Sequence, residues 1–422
     1  ATSLGAQKRM RLLDCNDAAL RLWQDGEGIW SPGITWFAGG QYQFGEPAWQ
    51  RARLSPREIN NRFWHRLSTQ PLSPALGPAR HTADLVHTHL QTLLGEVPGD
   101  VRLAIPGTME PAQLSLLLGI LQTLPVTARS VIHRSALIGS AVGEACAHVE
   151  LHLHQASITA ISVTDGIATA QETQLLPGQG LLGLMDEIAE RIGEQFVSQT
   201  RFDPQRRAET EQALYQQIPS LLGSLVTQSE ISCTVEGHTA RIAREALAPV
   251  GAAFSRALAP LLPAGVERIA LDALLSELPG LTLPGERISV SAEIIPRAAD
   301  ALKVTEGELI FQREAPCSGW VAPGNPAGIA AQEHAPVAEA GSGHTASATA
   351  VTHQLVAGHA TPLTLGSSVT DGVVLSGVNE LTVTTEAAVT LNGRSVEGVT
   401  AISAGDRLTV GGVDVDFIVV EV

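Results

Sequence analysis

The chain has 422 residues, a formal net charge of −16, and 44% hydrophobic and 17% charged residues, which excludes wholesale disorder and collagen-like repeats and suggests two to three domains. Its Lys and Arg residues form no cluster of the kind that displaces counterions from nucleic acid or an anionic membrane. No apolar run reaches the roughly 18 residues that span a bilayer, and Lys8, Arg9 and Arg11 lead straight into a short strand, unlike a signal peptide.

Taken in chain order, Met10–Leu13 and Ala18–Trp23 read as strands around a tight turn, and Asp25-Gly26 closes the next one. Residues 83–94 predict a helix, and Val101–Ile105 a buried strand ended by Pro106-Gly107. Glu110–Leu124 reads as a helix with Leu114, Leu117, Leu118 and Leu121 on its apolar face. Strands are expected at about 146–154, 156–163 and 167–173, with Asp165-Gly166 as a hairpin turn. Leu181, Leu182, Met185, Ile188, Ile192 and Phe196 then mark an amphipathic helix. Such a mixture defines an α/β domain. Residues 315–349 are rich in Ala, Pro, Gly and Ser and lack Lys and Arg, the composition of a linker. From about 350 to 422, short β-branched runs between Gly, Asn and Asp turns predict a small all-β sandwich or barrel.

Four scattered cysteines (Cys15, Cys146, Cys233, Cys317) without a CxxC pair argue against a zinc site and a disulfide framework, and suit a reducing cytoplasm. His148, Glu150, His152 and His154 alternate and would share one face of a strand. They could ligate a metal, but neighbours at that spacing lie roughly 6–7 Å apart, so a polar strand edge facing a cleft is the preferred reading. His81, His87 and His89 read as surface residues. Five of the six tryptophans precede residue 65, and burial in the first part of the chain is favoured over an interaction surface.

Several blocks in order resemble the ATPase domain of DnaK-type heat-shock chaperones, members of the actin and hexokinase superfold. Leu12-Leu13-Asp14-Cys15-Asn16-Asp17 sits where that family has its first phosphate turn. Glu150-Leu151-His152-Leu153-His154, with Ser157, falls on the second, and Ile269–Leu281 on the adenosine motif. Ile34–Phe37 with Phe44–Ala48, Ala104-Ile105-Pro106 with Gln113, and the Gly178–Phe196 helix match further segments. The resemblance implies a two-lobed actin-like fold, with ribonuclease H-like lobes, over residues 1–314. It also implies a nucleotide cleft at Asp14, Asn16, Glu150 and Ser157.

The departures from the family bear on function. Phosphate turns need glycine so that backbone N–H groups can approach phosphate oxygens. Here the first turn carries Cys15, Asn16 and Asp17, and the second His152, Leu153 and His154. Ala273 and Leu274 replace the glycine pair of the adenosine motif, Leu214 stands where a nucleoside-contacting lysine is expected, and no lysine lies between Lys8 and Lys303. Asp14 survives at the metal-linked position and Glu150 replaces a second Asp. The expectation is a pseudo-ATPase that needs no cofactor and acts on other proteins as a scaffold. The rival is a divergent ATPase using ATP and Mg²⁺, a chaperone or filament former, with Arg66, Arg129 or Arg134 taking the lysine roles. The C-terminal stretch resembles a forkhead-associated (FHA) domain at Leu363–Gly366, Asn392-Gly393, Gly405-Asp406 and Val410-Gly411. Ser367 stands in place of the arginine that reads phosphothreonine.

Overall fold

The computed structural model describes residues 10–303 and 309–318 and a series of short stretches between residues 353 and 418. Two compact units divide the chain, 1–331 and 332–422. Lys8, Trp320, most of the expected linker, Leu363–Ser367, Gly393, Gly405 and Gly411 lie outside the described residues.

The first unit opens with an antiparallel meander, β1 (Met10–Asp14), β2 (Arg21–Gln24) and β3 (Glu27–Trp30). Asp25 and Gly26, at φ 56° and 87°, form the β2–β3 turn, the left-handed geometry an Asp-Gly pair favours. A small three-stranded sheet follows, built from β4 (Thr35–Ala38), β5 (Gln41–Phe44) and, after the short helix α1 (Glu46–Trp49), β6 (Ile59–Asn60). Then come α2 (Thr82–Leu94), β7 (Gly99–Ile105), α3 (Pro111–Gln122), β8 (Val126–His133) and α4 (Arg134–Val142). Helix α3 starts where Pro111 fixes φ and Glu110 and Gln113 close a capping box. Strands β7 and β8 run parallel to β1, giving the order β3-β2-β1-β7-β8.

The second half repeats this arrangement. A meander of β9 (Cys146–Leu151), β10 (Gln155–Thr164) and β11 (Ile167–Pro177) leads to α5 (Leu181–Thr200) and α6 (Ala208–Thr227). The hairpin β12 (Glu230–Val235) and β13 (His238–Ala243), α7 (Arg244–Leu258), β14 (Arg268–Asp272), α8 (Ala273–Glu277), β15 (Glu286–Val290) and α9 (Ile294–Asp300) complete it. With β14 and β15 parallel to β9, the order β11-β10-β9-β14-β15 matches the first sheet in sequence and direction.

A final segment joins both sheets. Strand β16 (Phe311–Gln312) pairs parallel with β8, and β17 (Glu314–Pro316) pairs antiparallel with β11; between them Arg313 accepts the Ala170 N–H at 2.9 Å and returns its Nε–H to the Ala170 carbonyl at 3.1 Å. Ala315 and Pro316, which composition assigns to the linker, are therefore paired strand residues.

Side-chain alternation in the sheets sorts the core into layers. Leu13, Leu103, Ile105 and Val131 pack with α2 and α3, whereas Leu12, Ala104 and Ile132 face α4 and α9. Those two helices also cover Cys146, Ile161, Ala168, Ala270 and Ile288 of the second sheet, whose other face packs Val149, Leu151 and Ile158 against α5, α6 and α7. Every residue of α4 is buried. Gly139 is obligatory there, since a Cβ would stand 2.5 Å from Ile161 Cγ2 and 3.1 Å from Ala168 Cβ.

Two local expectations are corrected. Strand β9 stops at Leu151 and does not reach residue 154, because the His152 N–H turns back onto the Gln155 carbonyl. His89 is a core residue, stacked on Phe44 with ring centroids 4.7 Å apart. Trp64 donates to its Nδ1 at 2.9 Å, so its Nε2–H donates to Ser31 Oγ at 2.7 Å.

The described strands of the second unit are β18 (His353–Val356), β19 (His359–Pro362), β20 (Ser368–Thr370), β21 (Val373–Gly377), β22 (Glu380–Val383), β23 (Val389–Leu391), β24 (Arg394–Ser395), β25 (Gly398–Ala401), β26 (Arg407–Val410) and β27 (Val413–Ile418). They pair antiparallel in two sheets, β19-β18-β27-β26-β23-β24 and β20-β21-β22-β25. Val373 and Leu381 of one sheet share a core with Leu408, Val415 and Phe417 of the other. Asn392, at φ 51°, donates to Asp406 Oδ1 at 2.7 Å and accepts the Arg407 N–H at 2.9 Å.

Candidate functional site

In open α/β sheets the crevice beyond the carboxyl ends of the strands is the usual ligand site. Here those ends carry Asp14 on β1, Asp272 on β14 and, one residue before its end, Glu150 on β9. Helix α4 begins at the end of β8, capped by His133 Nδ1 accepting the Ser135 N–H, and so delivers Arg134 to the same point.

Arg134 fills this centre. Its Nε lies 2.9 and 3.2 Å from the two Asp14 oxygens, and its Nη1 lies 3.1 Å from Glu150 Oε1 and 3.6 Å from Asp272 Oδ1. The Arg134 side chain is 4% exposed, against 3% for Asp14 and 1% for Glu150. One buried cation thus serves three carboxylates. Arginine suits this role because its planar fork distributes donors over several oxygens.

The three acids respond differently. Asp14 is pushed up by burial, with Arg134 opposing and Glu150 reinforcing the rise. Glu150 is held down, although burial raises it, because Arg134 attracts its charged form. Asp272 is also held down against burial by Arg134; in addition it receives His148 Nε2–H at 3.1 Å and the Leu151 N–H at 3.0 Å. Extra donors explain why Asp272, farther from the guanidinium than Asp14, stays ionised more firmly. Arg134 is driven upward by its partners despite burial.

Asn16 donates through Nδ2 to Glu150 Oε1 at 2.7 Å and to the Leu151 carbonyl at 3.1 Å, while its Oδ1 accepts from Ala18 N (2.9 Å) and Ala19 N (3.1 Å). Asp17 accepts the Leu153 N–H of the second turn at 2.9 Å. Ser157 meets His152 Nε2 at 3.0 Å. The residues singled out in the sequence therefore split: Asp14, Asn16 and Glu150 converge, whereas Ser157 joins a separate pair beside them.

The alternating histidines also disperse, since His148 bonds Asp272 and Ser135, and His154 Nε2–H donates to the Asn61 carbonyl. Among the described residues no three His, Cys, Asp or Glu side chains converge as metal ligands. The crevice next to this centre, between Asp17, His65, Gln113 and His152, has a volume of about 30 Å³, room for a water molecule. Leu274, on α8, packs partly buried against the core. Arg129 pairs with Asp100 at 3.1 Å and Arg66 is exposed, so of the three arginines considered as lysine substitutes only Arg134 reaches Asp14 and Glu150.

Sequence reasoning did not single out Asp272, Asp17's bond to Leu153, or the tie made by Arg53. Arg53 pairs with Asp186 of α5, lies 3.6 Å from Glu211 of α6 and stacks 3.9 Å from the Tyr215 ring centroid. Only the position of Asp272 at a strand end before an apolar turn could have signalled its role. No protein-family model matches the chain, and no curated protein does either.

Proposed function

We propose that the chain is a two-lobed, actin-like pseudo-ATPase of DnaK type that serves as a cytoplasmic scaffold or adaptor for other proteins, followed in the sequence by an FHA-like β unit. The twice-repeated sheet fits the duplicated lobes that the resemblance implies, and no helix among the described residues is long and apolar enough to cross a membrane. The observation that carries the reading is Arg134 buried among Asp14, Glu150 and Asp272. Carboxylates that would face a metal are neutralised from within the protein, and the Leu153 N–H is taken by Asp17 rather than offered to a phosphate. The residues present do not fit Mg-ATP, because admitting it would strip a buried guanidinium of its partners. Phosphoryl transfer depends on positioning and charge stabilisation that this centre does not offer.

A second reading, a divergent ATPase or filament former, draws on the same arginine, which does stand beside Asp14 and Glu150. It requires Arg134 to leave them for a phosphate. Isothermal titration of the full chain with Mg-ATP separates the two. The pseudo-ATPase reading expects no heat of binding at sub-millimolar nucleotide, and a micromolar isotherm would overturn it.

A further inference from the structure

Beside the filled centre lies a much larger cavity, of about 710 Å³, within the range of small-molecule sites. Its walls are unusually rich in flat groups: Trp49, His65, His154 and Tyr215 all line it, with Ile59 and Leu182 as apolar neighbours. The Arg53 tie to Asp186 and Tyr215 borders it, so the one acid in its lining, Asp186, already has a cation and a phenol as partners. Burial lowers both His65 and His154 from their ordinary value, leaving the imidazoles neutral. Arg62 is different, for it lines the cavity, is exposed, and makes no ion pair among the described residues.

We infer that this cavity binds a flat organic monoanion, an aryl carboxylate in chemical class, with its ring among Trp49, His65 and Tyr215 and its carboxylate on Arg62. The charge count selects the class. A single uncommitted guanidinium balances one carboxylate and pairs with it in bidentate fashion, whereas a triphosphate would bring several charges to one cation. The inference concerns a cavity next to the Arg134 centre and does not rest on the pseudo-ATPase reading.

The test is calorimetric titration of the full chain with 1-naphthoate and with its neutral counterpart 1-naphthalenemethanol. Naphthoate is expected to bind at one site per chain, about ten-fold or more tighter than the alcohol. Arg62→Glu should remove that preference while leaving alcohol binding and the melting temperature unchanged, since the side chain is exposed. Trp49→Ala should weaken both ligands. Absence of naphthoate binding, equal affinity for the two ligands, or an unaltered preference in Arg62→Glu would overturn the inference. Displacement of naphthoate by Mg-ATP would overturn the ligand class. Mg-ATP binding without displacement would overturn the pseudo-ATPase reading alone.

Discussion

Arg134 and Asp14, 120 residues apart in the chain, meet at 2.9 Å inside the protein, and the same guanidinium reaches Glu150 of the other sheet. An ion pair here joins β1 to α4 and, through Glu150, the first sheet to the second. Burying such charges costs several kcal/mol per ion, and only a complete set of partners offsets it.

Removing the cation should therefore be severe. Arg134→Leu is expected to cost about 3–5 kcal/mol in urea denaturation, because three buried carboxylates lose their counter-ion. Arg134→Lys should lose less, retaining charge but not the fork. A leucine variant as stable as the parent would mean that the network contributes nothing.

Acid should weaken the fold before any carboxylate titrates normally. Burial lowers His89 to about 3 and His133 to about 4 from an ordinary 6.5. Between those values and 6.5 the unfolded chain takes up protons that the native chain refuses, so stability is lost as pH falls through that window. Each imidazole contributes about 1.4 kcal/mol per pH unit. The urea midpoint measured from pH 7 to 4.5 should fall accordingly. His89→Gln should flatten the slope by about one proton.

Helix α4 has no room to grow. With a Cβ at Gly139 only 2.5 Å from Ile161 Cγ2, Gly139→Ala should destabilise by about 1–3 kcal/mol in spite of alanine's better helix propensity. A stabilised variant would contradict the packing.

Ala315 is fully buried with Ala136 and Ala170. Ala315→Leu should cost about 1–3 kcal/mol through overpacking. It should also raise amide exchange along β11 and β17, a pattern that a general loss of stability would not confine to one edge.

The local signals were the legible ones. Asp25-Gly26, Asp165-Gly166 and the apolar stripe of Leu181, Met185, Ile188 and Ile192 placed turns and a helix because their information lies within a few residues. The convergence of Asp14, Asn16 and Glu150 was reached through ordered motif blocks. What escaped depends on pairing at long separation. The repeat of one sheet by the other is expected only from the resemblance and not from local pattern, since any β-branched or apolar residue satisfies a buried strand position. His89 looked like a surface histidine because one residue cannot announce that Trp64 and Ser31 will satisfy both its nitrogens. Arg134 is one of three arginines the sequence offers for the lysine roles, but Asp272 lies 138 positions away by number, and a strand-end position alone does not foretell their meeting.

The tail segment has a geometric consequence. Gln312 is held by β8, and the very next residue, Arg313, is already bonded to β11 through its carbonyl and its guanidinium on Ala170. Consecutive Cα atoms lie about 3.8 Å apart, so the two sheet edges cannot part by more than about one residue's length along this line. Any larger breathing motion must first peel a strand from its edge, which makes the β16–β17 segment a stitch that limits how far the two sheets can gape.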